Sequence, residues 1–276
     1  NYKIKGKYYI NRVLEFEGEF RFNRKWNGKG YDKNGNILYE LINGNGKILE
    51  YDDNDKLEFE GEYLNGNRNG KGREYYYDGK LKFEGEYLNG KKNGKGREYY
   101  YDGKLKFEGE YLNGNRNGKG REYYYEGKLK FKGEYLNGNI TGKGKEYDYL
   151  TGKLKFEGEL LNGERNGKGK EYNNNGKLIY EGEYLKGIRN GKGKEYDYNG
   201  RLDFEGEFLN GQRNGKGKLY FKFGKLKIKF EGEFLDGQIN GKGKEYYDNG
   251  KIEFEGDYLK GKRNGKGKEY FKNGKL

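Results

Sequence analysis

Hydrophobic and polar residues alternate strictly in short stretches of this chain. From Leu57 to Tyr63, apolar residues and one glycine occupy every second position, and glutamates occupy the positions between them. Alternation with a period of two, carrying aromatic side chains, predicts a half-buried β-strand. The Asn65-Gly66 pair that follows favours the positive φ angles of a tight turn, and a second strand-like stretch ends near Tyr77. The pattern therefore predicts a β-hairpin.

This hairpin pattern recurs along the chain at a nearly constant interval of 24 residues. A fixed period in this range is typical of stacked-repeat architectures. We therefore predict an all-β fold, in the form of an elongated single-layer antiparallel sheet or solenoid of stacked β-hairpins. The hairpins open at Phe59, Phe83, Phe107, Phe131, Phe156, Tyr180, Phe204, Phe230 and Phe254, with one extra residue before Phe156 and two before Phe230.

The repeats predict one continuous repeat domain with three parts. Residues 1–15 resemble the second half of a preceding unit, residues 16–58 form two degenerate units, and residues 59–276 form nine units. No apolar run approaches the roughly 20 residues of a membrane helix, and the start of the chain has no signal-peptide core. These features favour a cytoplasmic or membrane-peripheral location.

Composition changes this picture in one respect, because it raises the question of disorder. Hydrophobic residues make up 31% of the chain and charged residues 37%, with a formal net charge of +13. Such values are typical of disordered chains. However, the aromatic residues recur at fixed positions, and the 52 glycines occur without a single proline, unlike a flexible linker. We therefore predict an ordered repeat protein.

The available side chains argue against catalysis. The chain has no histidine, cysteine or serine, which excludes the usual nucleophile–base pairs and zinc sites. Carboxylate pairs such as Glu60 and Glu62 recur in nearly every unit, which favours a charge ladder over a two-carboxylate glycosidase. We predict no enzymatic activity, no cofactor, no metal and no small-molecule substrate.

A structural aromatic seam is predicted along one side of the hairpins. The position of Tyr75 is aromatic in every later unit, so we expect Tyr75 to face Phe59 and Tyr63. The next position varies, so Tyr76 should face water. Strict alternation backwards from Tyr75 would place Arg73 and Lys71 on the same face as the rings. We therefore expect a β-bulge near Gly70 or Gly72. The predicted seam comprises Phe59, Gly61, Tyr63, Tyr75, Phe83, Tyr87, Tyr99, Phe107, Tyr111 and Tyr123, with Gly61 and its counterparts serving as holes under a neighbouring ring.

Basic residues recur beside the turns and predict a cationic rim. Such an array can bind an anionic lipid surface, at about 1 kcal/mol per residue near the membrane. It could also follow a nucleic-acid backbone, although we do not expect nucleic acid as the partner, or it could be a solvated rim neutralised by glutamates. The candidate contacts are Arg68, Lys71, Arg73, Lys95, Arg97, Lys119 and Arg121.

The repeat resembles a known family. The segment FEGEYLNGNRNGKGREYYYDG at 59–79 is similar to the MORN (membrane occupation and recognition nexus) repeat, whose consensus resembles YEGEWKNGKRHGKGTYTYADG. The histidine of the family's loop is Asn69 here. The resemblance implies scaffolding near membranes, lipid headgroup binding or homodimerisation. The sequence motif GKLKFEGEY also resembles a bacterial MORN variant with an antitoxin-like role.

We expect a non-catalytic scaffold that presents an extended surface to a protein partner. The favoured partner is a second copy of the chain, in a dimer or a filament, since many weak contacts per repeat add up to useful avidity. The alternative is binding of anionic phospholipid through the basic rim. Glycan binding along the aromatic residues and an antitoxin-like role are weaker alternatives.

Overall fold

The structure, a computed structural model, describes residues 3–276, and the regular structure in this range is β-strand only. In each of the two compact units, residues 1–139 and residues 140–276, consecutive strands of a sheet pair antiparallel. The predicted all-β architecture of stacked antiparallel hairpins is confirmed. The division of residues 1–58 into partial and degenerate units stays a prediction, and Asn1 and Tyr2 lie outside the described residues.

Unit 1 contains two antiparallel sheets. The first has four strands, in the order β1 (Lys3–Ile10), β2 (Val13–Arg21), β3 (Arg24–Tyr31) and β4 (Ile37–Leu41). The second sheet follows with β5 (Gly46–Tyr51), β6 (Leu57–Leu64), β7 (Asn67–Tyr75), β8 (Leu81–Leu88), β9 (Lys91–Tyr99), β10 (Leu105–Leu112), β11 (Asn115–Tyr123) and β12 (Leu129–Leu136).

Unit 2 continues the same hairpin pattern, and each of its strands pairs with the next one along the chain. The strands are β13 (Asn139–Tyr147), β14 (Leu154–Leu161), β15 (Glu164–Tyr172), β16 (Leu178–Leu185), β17 (Ile188–Tyr196), β18 (Leu202–Leu209), β19 (Gln212–Tyr220), β20 (Ile228–Leu235), β21 (Gln238–Tyr246), β22 (Ile252–Leu259) and β23 (Lys262–Glu269).

Two kinds of turn connect the strands. Within a hairpin, Asn65 and Gly66 have φ angles of 52° and 75°, the two successive left-handed residues of a type I′ turn. Between hairpins, the backbone N–H of Tyr76 donates to the carbonyl of Lys80 over 2.8 Å, and Gly79 has a φ of 83°. Both turns use the positive φ angles that asparagine and glycine tolerate best.

The second strand of each hairpin carries a β-bulge. Gly61 pairs with Gly72, but Tyr63 pairs with Arg68, so the second strand carries two extra residues around Gly70. Gly70 has a φ of 87°. The bulge predicted near Gly70 or Gly72 therefore lies at Gly70, before Gly72 in the chain.

Each hairpin has two unlike faces. We call the face that carries Phe59, Tyr63 and their counterparts the aromatic face, and its register places Glu74 opposite Phe59. We call the other face, which carries Glu60 and Glu62, the charged face. Lys71 and Arg73 belong to the charged face because they alternate with Gly72 and Glu74.

The core of each unit is a file of rings on the aromatic face. Phe83 and Phe107 are 0% exposed, and their rings meet tyrosine rings edge to face. The centroids of Phe83 and Tyr111 lie 5.3 Å apart, and those of Phe107 and Tyr111 lie 5.6 Å apart, so one tyrosine joins two repeats. Such pairs add about 0.5–1.5 kcal/mol each beyond the burial of area.

The glycines of the aromatic face lie beneath these rings. A Cβ on Gly109 would be 2.7 Å from the Cα of Gly120 and 2.7 Å from the Phe107 ring. A ring does lie over each of these glycines, as predicted, but it is not the ring that the sequence suggests. The ring that covers Gly109 comes from Phe107, two residues earlier on the same strand, rather than from a neighbouring repeat.

Candidate interaction surfaces

The aromatic face is closed by its own charged residues. The guanidinium carbon of Arg68 lies 4.1 Å from the centroid of the Phe59 ring, and the ammonium of Lys92 lies 4.0 Å from that of Phe83. A cation over a ring is an attractive contact that also shields the ring from water. The phenylalanine rings of the predicted seam are therefore packed inside the protein, and they offer little surface to a partner.

Glutamates on the same face hold these cations in place. Arg116 donates to Glu98 Oε2 over 2.6 Å, and the Tyr111 hydroxyl donates to Glu98 Oε1 over 2.7 Å. Burial alone would raise the pKa of the Glu98 carboxyl, but the Arg116 guanidinium and the Tyr111 hydroxyl outweigh it and hold this pKa below its usual value. Glu98 is therefore a charged, paired group at neutral pH.

Arg68 does not lie where the sequence placed it. The sequence groups it with Lys71 and Arg73 as a cationic rim, but Arg68 is in phase with Gly70 and Gly72 and therefore lies on the aromatic face, opposite Tyr63. There it forms ion pairs with Glu50 over 2.5 Å and with Glu74 over 3.6 Å, and its side chain is 22% exposed. An arginine held in this way contributes to packing and is not presented to a partner.

The arginines of the charged face form a ladder of ion pairs. Arg73 lies 3.1 Å from Glu60 of its own hairpin and 3.7 Å from Glu84 of the next. Arg97 likewise bridges Glu84 and Glu108, and Arg121 pairs with Glu108 over 3.1 Å. Three of the predicted anion contacts, Arg73, Arg97 and Arg121, are thus exposed but already matched by carboxylates.

The tyrosines that begin the inter-repeat turns belong to this ladder, which corrects the predicted seam. The Tyr75 hydroxyl donates to Glu60 Oε1 over 2.6 Å, and Tyr99 and Tyr123 make the same bond to Glu84 and Glu108. Partial burial and this bond raise the pKa of Tyr75 to about 12. Tyr75, Tyr99 and Tyr123 therefore lie on the charged face, because the bulge precedes Gly72 and leaves their phase unchanged.

A row of lysines on the charged face remains without ion pairs. Lys71, Lys95 and Lys119 are exposed, and none of them forms an ion pair with any residue in the range 3–276. The neighbouring carboxylate of Glu62 accepts the backbone N–H of Lys71 over 3.3 Å rather than its ammonium. We call Lys71, Lys95 and Lys119 the lysine row. Its members stand two strands apart, or about 10 Å.

A row of exposed leucines lies beside the lysine row, at the hairpin turns. Leu64, Leu88, Leu112 and Leu136 are 46%, 48%, 47% and 54% exposed, and we call them the leucine row of unit 1. Leu88 lines an open groove of about 490 Å³ together with Lys71 and Glu86. The sequence pattern alone predicts no role for this row. The counterparts in unit 2 are similarly exposed: Leu161, Leu185, Leu209, Leu235 and Leu259.

The tyrosines of the inter-repeat turns also differ from the sequence prediction. Tyr76 does not simply face water, since its half-buried hydroxyl donates to the carbonyl of Tyr99 in the next repeat over 2.7 Å. The exposed ring belongs to the next residue, because Tyr77 is 68% exposed. We call Tyr77 and its counterparts Tyr101 and Tyr125 the tyrosine edge of unit 1.

Family comparison finds the repeat throughout most of the chain. The family described as MORN repeat matches residues 59–80, 83–104, 107–128, 131–149, 180–200, 204–222, 230–252 and 254–275. The family described as MORN repeat variant matches residues 44–65 and 165–186. No curated protein matches the chain.

Solved structures offer only a remote likeness. The crystal structure of TcdB2-TccC3-TEV is 13% identical with a TM-score of 0.23, and the match covers 83% of this chain and 14% of that one. The structure of the Photorhabdus luminescens Tc holotoxin pore is 14% identical with a TM-score of 0.23, over 83% of this chain and 14% of that one. The chain thus spans a small part of each of these proteins.

A search of residues 3–276 for membrane-spanning helices gives no candidate, because no helix there has the length and the apolar character that a span requires.

Proposed function

Because the chain belongs to the MORN repeat family, we propose that it is a non-catalytic scaffold that binds a second copy of itself through the charged face. The observation that carries this proposal is the leucine row. Its leucines occur once per hairpin and are about half exposed. Apolar side chains grouped on a surface and bordered by charges are typical of protein contact sites.

The charges beside the leucine row favour a second copy as the partner. Glutamate and lysine alternate from strand to strand along this face, as in the cross-strand pairs of Lys71 with Glu86 and Lys95 with Glu110. A copy displaced by one strand would place its lysines over the glutamates of the first copy. The face is therefore complementary to itself, as an isologous interface requires. Each hairpin would add one small contact, and the contacts of several hairpins would add up.

Removing three leucines of the leucine row should weaken self-association. At a concentration where light scattering gives the wild type a mass above 32.3 kDa, we expect a lower mass for the variant with Leu88→Ser, Leu112→Ser and Leu136→Ser. Exposed positions tolerate substitution within about 0.5 kcal/mol, so this variant should stay folded. The variant with Tyr77→Ser and Tyr101→Ser, at the opposite turns, should associate like the wild type. A wild type that remains a single chain at every concentration would refute the proposal.

The lysine row supports a second candidate function, binding to an anionic lipid surface. Of the seven basic residues that the sequence put forward, Arg68 is half-buried and the three arginines of the ladder are paired with glutamates. The other three of the seven, Lys71, Lys95 and Lys119, are exposed, and their ammonium groups form no ion pair with any described residue. Neutralising a lysine near an anionic membrane weakens membrane binding by about 1 kcal/mol of free energy.

Liposome pelleting tests this second function. With vesicles of phosphatidylcholine and phosphatidylserine at low salt, we expect the variant with Lys71→Gln, Lys95→Gln and Lys119→Gln to bind at least about tenfold more weakly than the wild type. The matched control carries Arg73→Gln, Arg97→Gln and Arg121→Gln, which removes the same charge from paired positions and should weaken binding less. Equal losses in the two variants would show that net charge, and not the lysine row, drives any binding.

A further inference from the structure

Tyrosine is the main target for one-electron oxidation in this chain. The sequence has 31 tyrosines and one tryptophan, but no cysteine, methionine or histidine. In most proteins the sulfur atoms of cysteine and methionine take up oxidants first. Without them, an oxidant that removes single electrons acts mainly on tyrosine rings. The tyrosines that can then react with each other are those whose rings are both exposed and adjacent.

Tyr77 and Tyr101 of the tyrosine edge meet both conditions. They are 68% and 39% exposed, and they stand at two successive inter-repeat turns. Their ring centroids lie 5.4 Å apart with 40° between the ring planes, so the two rings are in contact. Exposed side chains rotate within picoseconds to nanoseconds, and small rotations of this pair bring carbon atoms of the two rings together.

The turn itself does not account for a ring at this position. In the turn of Tyr77, the N–H of Gly79 donates to the carbonyl of Tyr76 over 2.8 Å. In unit 2 the equivalent turn carries Asn174 in place of Tyr77, and its closing bond is also 2.8 Å long. A small polar residue thus gives the same turn, and local structure leaves the tyrosine pair unexplained.

The Asp78 carboxylate is a base beside the Tyr101 phenol. Desolvation, the Tyr77 hydroxyl and this carboxylate raise the pKa of Tyr101 above its usual value. Asp78 is hydrogen-bonded to Lys80 as well as to Tyr101, and a carboxylate has about four acceptor sites, so it accommodates both partners. A phenol that loses an electron also releases its proton, and Asp78 can accept that proton.

Tyr76 has a nearer ring but is a poorer partner for Tyr101. Its ring centroid lies 5.1 Å from that of Tyr101. However, its half-buried hydroxyl donates to the carbonyl of Tyr99 over 2.7 Å, and a peptide carbonyl is a poor base for the phenol proton. We therefore expect Tyr77, rather than Tyr76, to react with Tyr101.

We propose that Tyr77 and Tyr101 form a site of oxidative cross-linking, where a one-electron oxidant such as a peroxidase with hydrogen peroxide joins them as dityrosine. Each phenol loses one electron to the oxidant and one proton, from Tyr77 to water and from Tyr101 to Asp78. The two phenoxyl radicals form a carbon–carbon bond between ring carbons ortho to the oxygens, and the hydrogens of these carbons then move to the oxygens. In total, two phenols and one hydrogen peroxide give one dityrosine and two waters.

The link covalently joins two successive hairpins of unit 1. Rings that already touch react far faster than rings on separate molecules, so the link forms within one chain. A cross-link between Tyr77 and Tyr101 also restricts the unfolded chain, which stabilises the folded state. The oxidised wild type should therefore unfold at a higher urea concentration than an equally oxidised Tyr77→Phe variant.

Peptide mapping after oxidation tests the proposal. The whole chain is treated with peroxidase and hydrogen peroxide at low protein concentration, and the band of a single chain is cut from a denaturing gel and digested with trypsin. We expect peptides 74–80 and 98–104 to be joined with the loss of two hydrogen atoms. These peptides have the same sequence, so substitutions assign the linked rings. Tyr77→Phe and Tyr101→Phe should each lower the yield of the linked product at least about fivefold.

Two controls separate a positioned pair from general oxidation. Tyr76→Phe leaves the pair intact and should preserve the link. Tyr198 is 67% exposed, and no tyrosine ring contacts it among the described residues, so it should stay unlinked in the single-chain band. Circular dichroism checks that each variant is folded before oxidation. The proposal is overturned if the wild type does not link peptides 74–80 and 98–104, if Tyr77→Phe retains the link, or if Tyr198 is linked to an equal extent.

Discussion

Replacing Phe107 with alanine is expected to lower the free energy of unfolding by about 3–5 kcal/mol, the usual cost of deleting a buried phenylalanine. Phe107 is 0% exposed, and its ring meets Tyr111 at 5.6 Å and Tyr135 at 5.2 Å between centroids. The Arg116 guanidinium lies 4.0 Å from its centroid. The substitution would therefore leave a cavity and expose a paired arginine, at a point that joins two repeats.

Urea unfolding followed by circular dichroism measures this effect. The matched control is Tyr125→Ala, which removes an aromatic ring from the same repeat at a position that is 50% exposed. We expect the control to change the free energy of unfolding by less than about 1 kcal/mol. Equal destabilisation by the two substitutions would show that the ring file of the aromatic face is not the core of the fold.

Replacing Gly109 with alanine is expected to cost about 3 kcal/mol, because the added methyl group has no space. Its Cβ would lie 2.7 Å from the Gly120 Cα, 2.7 Å from the Lys119 carbonyl oxygen and 2.7 Å from the Phe107 ring. Two of these contacts are backbone atoms of the next strand, which cannot rotate away. The strands would have to separate, or the ring would have to leave its site.

The control for this substitution is a glycine that needs a positive φ but has open surroundings, so that it tests backbone strain without a close contact. Gly103 has a φ of 87° in an inter-repeat turn, and a Cβ there would meet nothing within 4 Å. Gly103→Ala should cost about 1–2 kcal/mol, from backbone strain alone. If thermal melts show Gly109→Ala to be as mild as Gly103→Ala, the close contact between Phe107 and the paired glycines is wrong.

The first strand of each hairpin could be predicted from the sequence in full. Alternation alone placed Phe59 and Tyr63 on one face and Glu60 and Glu62 on the other, and the structure has the same division. A regular strand carries its pattern in the sequence, since each residue takes the face opposite to its neighbour. The Asn-Gly turns were visible for a similar reason, because few other residues tolerate their φ angles.

The second strand could not be predicted in the same way. The sequence predicts a bulge near Gly70 or Gly72 that moves Tyr75 out of phase with Lys71 and Arg73. The cross-strand register instead shows two extra residues around Gly70, which is one full period of a strand, so the bulge changes no face and Tyr75 stays on the charged face. Only the cross-strand register shows how many residues the bulge inserts. Arg68 and Lys71 thus look like one basic cluster in the sequence but lie on opposite faces.

The leucine row and the tyrosine edge were harder to predict from the sequence. Leu64 follows the strand pattern onto the charged face, so its exposure could have been inferred by extending the alternation by one residue. Tyr77 is the last of three consecutive tyrosines, and the surroundings of the three side chains differ. Tyr75 bonds to a glutamate, Tyr76 bonds to the backbone of the next repeat, and Tyr77 is exposed. Sequence alone does not separate neighbours of the same residue type.

Hydroxyl-radical footprinting over a range of protein concentrations, read alongside mass from light scattering, is the most direct test of a scaffold that pairs with itself through the charged face. We predict that oxidation of Leu88, Leu112 and Leu136 falls as the mass rises above 32.3 kDa, while oxidation of Tyr77 and Tyr125 stays constant. A rise in mass with unchanged leucine oxidation, or protection of the tyrosines instead, would contradict the account.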